Sequence, residues 1–91
     1  VILDQRIGNA KFYRNMSKGT PIFCTDGLIG EVHDVLVDPE TERPTHIILR
    51  EGILVIKEVN IPVNYVQKVE GDRVLLKVEK EEIERLPRFW W

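Results

Sequence analysis

The stretch Asp26-Gly27-Leu28-Ile29-Gly30-Glu31-Val32-His33-Asp34-Val35-Leu36-Val37-Asp38-Pro39-Glu40-Thr41 decides the fold. It opens on Asp-Gly, a pair suited to the positive φ of tight hairpin turns, and closes on Asp-Pro-Glu-Thr, a second turn. Between them β-branched and aliphatic residues recur with the two-residue period of a strand. The period fails once: Val32 and Val35 are three apart, whereas Val35 and Val37 are two apart. One extra residue restores a strand's inward face, so the spacing predicts a bulge or sharp bend near His33-Asp34. A strand bent there can serve two edges of a small closed sheet.

Outward from this stretch the chain keeps strand chemistry. Thr20-Pro21-Ile22-Phe23-Cys24-Thr25 alternates, with Ile22 and Cys24 on one face and Pro21 at a strand start, where a missing N–H matters least. Thr45 to Arg50 puts Ile47 and Leu49 on one face and His46, Ile48 and Arg50 on the other. Val59, Ile61 and Val63 alternate, and the outward Pro62 marks an edge or a strand end. Tyr65-Val66 and Val69 lead to a turn at Glu70-Gly71-Asp72, and Arg73 to Val78 forms a last strand. Then the period changes. Glu79 to Leu86 predicts a helix of about two turns, with an acidic first turn, a Glu81–Arg85 pair and Pro87 as its stop. So short a helix survives by docking Ile83 and Leu86, and one open end of the barrel is the surface it can cover. The expected fold is mainly all-β: a small six-stranded antiparallel β-barrel with one short C-terminal helix. Its interior is filled by Ile22, Val32, Val35, Val37, Ile47, Leu49, Val59, Ile61, Val63, Val74, Leu76 and Val78, leaving no ligand cavity inside.

Ninety-one residues make one domain, read as an N-terminal extension (1–18), the barrel (19–86) and an aromatic tail (87–91). The net charge of −2 is unevenly spread. Residues 1–18 are basic through Arg6, Lys11, Arg14 and Lys18, whereas residues 19–42 carry Asp26, Glu31, Asp34, Asp38, Glu40 and Glu42 without a Lys or Arg. An acidic middle repels phosphates, which disfavours nucleic acid and leaves room for a partner with a basic surface. A solvated acidic face is the simpler reading. No apolar run approaches the ~20 residues of a membrane span, and the start lacks a secretory core, so the expected location is cytoplasmic. Position 1 is Val rather than Met, which points to a chain trimmed or cut from something longer.

Several residue types invite chemistry. His33 beside Asp34 is a pairing that orients an imidazole for metal binding or proton transfer, but no third ligand has recognisable spacing. A bulge His and a turn-capping Asp explain the pair more simply. Asp34, Asp38, Glu40 and Glu42 lack the central glycine and terminal Glu of a calcium loop. The lone Cys24 gives no disulfide and no zinc cluster, and alternation points it inward as a small hydrophobe. No catalytic, cofactor-binding or metal residues are assigned, and no enzyme is expected. The remaining signal is excess apolar surface. Ile53-Leu54-Val55-Ile56 cannot all face one interior, Ile48 and Leu75 lie outward on their strands, and Phe89-Trp90-Trp91 follows a helix-ending proline. These nine residues are the candidate interface, and an isologous homodimer is its simplest form. The tail aromatics have an alternative: folding back on the barrel, or packing with Phe12 and Tyr13.

Gly19-Thr20-Pro21-Ile22, Asp26-Gly27-x-Ile29-Gly30-x-Val32-x-Asp34-Val35-Leu36-Val37-Asp38-Pro39-Glu40-Thr41, Ile61-Pro62-Val63-x-Tyr65-Val66 and Val69-x-Gly71-Asp72-x-Val74 together resemble a PRC-barrel domain, in register over roughly residues 19–86. The resemblance implies a six-stranded barrel-like domain whose relatives share protein binding rather than chemistry. Those relatives include the cytoplasmic domain of the photosynthetic reaction-centre H subunit and the C-terminal domain of ribosome-maturation factors. This chain carries neither the membrane helix of the first nor the N-terminal barrel of the second, so the standalone form is the closer match. The expected function is a non-enzymatic protein-interaction or scaffold module that self-associates. A ribosome- or RNA-processing assembly factor and the cytoplasmic domain of a membrane electron-transfer complex are the alternatives.

Overall fold

A computed structural model describes residues 18–52, 54–70 and 72–90, with the backbone alone for 88–90. Seven strands follow one another: β1 (Pro21–Cys24), β2 (Gly27–Val37), β3 (Pro44–Glu51), β4 (Lys57–Pro62), β5 (Val66–Glu70), β6 (Arg73–Leu76) and β7 (Arg88–Trp90). A 3-10 turn, Val63–Tyr65, links β4 to β5, and helix α1 (Lys80–Glu84) sits between β6 and β7. The strands form one sheet in the order β5-β6-β1-β2-β3-β4-β7.

The predicted bulge is present. The β2–β3 register shifts between Val32 and Asp34, leaving His33 as the extra residue. Alternation across that shift keeps Val32 and Val35 opposite Leu49 and Ile47. Ile22, Cys24, Val32, Ile47, Leu49, Val59, Ile61, Val66, Val74 and Leu76 make one buried cluster, and Val35, Val63 and Val78 pack against it half-buried. Burying these aliphatic side chains, at ~25 cal/mol per Å², is what the fold gains from its sequence. Helix α1 adds its single buried residue, Ile83, to the same cluster. It is shorter than the two turns expected. Its N-terminus is fastened from far along the chain, because Asp26 Oδ1 accepts a hydrogen bond from the Lys80 N–H (3.0 Å). The Glu81–Arg85 pair forms at 2.7 Å.

Three features depart from the expected six-stranded antiparallel barrel. The strands number seven, because residues 88–90 fold back antiparallel on β4. The sheet is mixed, because β1 and β6 run parallel, with Ile22 opposite Val74 and Phe23 opposite Leu75. The hydrogen-bonded order ends at β5 and β7 among the described residues rather than closing. The mixed pairing and the unclosed order share a physical reason: a two-residue period fixes which face a side chain takes, but not which strand it meets or in which direction.

Strand β2 makes the sheet turn a corner. Its first half pairs with β1 and its second with β3, and Glu31 belongs to both ladders, opposite Pro21 and Arg50. At Gly30, beside that corner, a Cβ would lie 2.6 Å from both the Arg50 carbonyl oxygen and Leu49 Cδ1. Only glycine lets the two backbones approach this closely.

Candidate functional site: an apolar band ending in a hollow

The four-residue apolar run is not a strand. Gly52 adopts φ 105°, and a Cβ there would collide with the Val55 carbonyl, so the chain turns tightly between β3 and β4. The turn drives Leu54 and Val55 outward, 96% and 56% exposed, and leaves Ile56 half-buried. Beside it lies an open hollow lined by Pro21, Leu28, Ile29, Ile56 and, among its charged groups, Glu31 and Arg50. Gly30, beside the point where β2 passes from its ladder with β1 to its ladder with β3, forms part of the lining.

Leu28, 55% exposed, is a member that the sequence reading missed. It follows the Asp26-Gly27 turn directly and reads there as an ordinary strand residue. The register gives it significance. Leu28 pairs with Phe23 on β1, and Phe23 pairs with Leu75 on β6. Registered partners share a face, so Leu75, Phe23 and Leu28 form a row that runs across three strands into the hollow. Leu75 and Phe23 are half-buried, and the Arg73 guanidinium stands 5.8 Å from the centre of the Phe23 ring. The fold therefore brings Leu75 together with the 54–56 turn by way of Phe23 and Leu28.

Ile48 does not join this band. It is outward by register, between Asp34 and Asn60, yet only 8% exposed. On the same face His33 Nε2 and Glu58 Oε2 approach to 3.1 Å, a bridge from β2 to β4 across β3. Alternation gives the face a residue takes but not whether other groups cover it, so Ile48 faces outward by register and is covered within the chain. Ile53, the side chains of Phe89 and Trp90, and Trp91 lie outside the described residues. The backbone of β7 places position 90 opposite Lys57, one residue beyond Ile56, so the tail returns to the end of the sheet that carries the turn.

The groups that invited chemistry are engaged elsewhere. Asp34 Oδ1 accepts the Val35 N–H at 2.8 Å, and His33 faces Glu58 rather than Asp34. Asp38 Oδ1 accepts the Glu40 N–H (2.8 Å) and holds the hairpin between β2 and β3. Burial pushes the Cys24 thiol up to about 11, and the Asp26 carboxylate adds to the rise, which leaves an inert thiol. Among the described residues no three His, Cys, Asp or Glu gather as metal ligands, and no helix is long and apolar enough to cross a membrane.

A search among curated proteins finds no match. A family model does match: that of the PRC-barrel domain aligns with residues 10–83, which hold every strand but β7, the turn and the hollow, and on that match the chain belongs to the PRC-barrel domain family.

Proposed function

We propose that this chain is a self-associating protein-interaction module that uses the band from Leu75 to Leu54 as its contact surface. The family is a non-catalytic one in general, and its domains mediate protein interactions. The observation that carries the reading is Leu54. A leucine 96% exposed on a tight turn whose neighbour Ile56 lines a hollow with Leu28 and Ile29 is what a contact surface looks like before it is covered. Val55, Ile56, Ile53 and the tail aromatics Phe89, Trp90 and Trp91 belong to the same proposal by position. Isologous pairing is its simplest form. The RNA-associated reading needs a basic face. The outward face of β2–β4 instead carries Glu31, Asp34 and Glu58 against Arg50 and two histidines.

The test is molar mass by light scattering from about 1 to about 500 µM, a range that captures weak and moderate association. The wild-type chain is expected to run as a dimer. Leu54→Glu is expected to shift it toward monomer by about tenfold or more in Kd, because it places a charge in a desolvated contact. Trp90→Ala is expected to act in the same direction. A wild-type monomer throughout the range overturns the reading.

A further inference from the structure

Two charged residues on the hollow share one property. Arg50 is half-buried, Glu31 is exposed, and both line the hollow. They stand opposite each other in the β2–β3 register. Among the described residues neither makes an ion pair or a side-chain hydrogen bond, with the other or with anything else, whereas nearby Glu51 is held by Lys57 at 3.1 Å. A guanidinium drawn part-way out of water without an anion bears a desolvation cost that a carboxylate would relieve.

We infer that the surface is completed by a second copy of this chain, docked about a two-fold axis so that Arg50 of each copy meets Glu31 of the other. This inference rests on the self-association reading and names the contacts that would give it register. Three observations converge on a copy of the same chain. The charges are complementary to themselves: a two-fold axis turns one unpaired acid and one unpaired base into two reciprocal ion pairs, with nothing left over. The shapes allow the same arrangement, since an exposed Leu54 projects near a hollow of mixed polar and apolar lining, and a two-fold axis can seat each copy's projection in the other's recess. The hollow has acid and base on one wall, so a partner of uniformly basic or acidic surface would satisfy one group and repel the other.

Mixing two charge reversals tests it. Glu31→Arg alone would set Arg against Arg across the axis, and Arg50→Glu alone would set Glu against Glu. Each is expected to weaken self-association by about tenfold or more, since like charges set against each other at a contact repel. Mixed in equal amounts, the two variants form a heterodimer in which every pair is opposite in charge. Its Kd is expected to return to within about threefold of wild type, and raised salt is expected to weaken it again. An ion pair closed within one chain cannot be rescued by mixing, so rescue is specific to the inter-copy contact. Circular dichroism of each variant checks folding, and Glu31→Gln with Arg50→Gln, which remove charge without repulsion, are the replacements for a variant that fails it.

A wild-type dimer whose affinity neither reversal changes overturns this inference and leaves the self-association reading standing. So does weakening by both reversals without rescue on mixing. Monomers in every sample, the mixture included, overturn both.

Discussion

At the scale of single residues, two positions carry more of the fold than their size suggests. Gly30 lets β2 pass within contact of β3 at the corner where the hollow forms. Gly30→Ala would press a methyl group against a backbone carbonyl that cannot give way as a flexible side chain can. A loss of about 1–3 kcal/mol in urea unfolding is expected. Cys24 makes its contribution through protonation. Its pKa rises from 9.0 to about 11 on folding. Below pH 9 the thiol is neutral in both states and its contribution is complete. As pH rises toward 11 the unfolded chain loses that proton first, binds fewer protons than the folded chain, and is favoured. Wild-type stability should therefore fall across that window by about 1–2 kcal/mol more than that of Cys24→Ala, read from denaturation midpoints at matched pH.

At the scale of elements, α1 has five residues and one buried side chain. A helix of this length has no independent stability, so Ile83 and the Asp26 tether hold it in place. Ile83→Ala should cost about 2–5 kcal/mol, the range for emptying a buried aliphatic site, and a chemical-denaturation curve measures it. Ile83 was legible in the sequence, because the change of period after Val78 and the stop at Pro87 isolate a short helix with one apolar stripe. So was the bulge at His33, because the interval from Val32 to Val35 is odd. The direction of β6 against β1 was not, since Val74 and Leu76 would alternate identically in either sense. Strand β7 was not, since Phe89-Trp90-Trp91 has no period to read. Of the candidate site, the exposure of Leu54 and Val55 followed from four consecutive apolar residues after Gly52. The hollow beside them did not, because it depends on where β2 passes from its ladder with β1 to its ladder with β3, which alternation does not show. Leu28 and Phe23 gained their role only from register.

At the scale of the whole molecule, a sheet whose order ends at β5 and β7 among the described residues has two edges to manage. On β5, Gln67 and Lys68 are exposed, and Glu70 lies between Lys68 (3.1 Å) and Arg73 (3.0 Å), whose hydrogen bonds hold its carboxyl below the usual range. Charges along an edge discourage addition of a further strand. The seam between β1 and β6 has another consequence. It joins residues about fifty positions apart, whereas β1 to β4 and the β5–β6 hairpin are built from neighbours in the chain. Local hairpins form quickly, but a long loop must close before the seam can reward it. A linker lengthened anywhere between Ile22 and Val74 should therefore slow the meeting of those two residues without removing a single native contact, a delay that stopped-flow refolding would read.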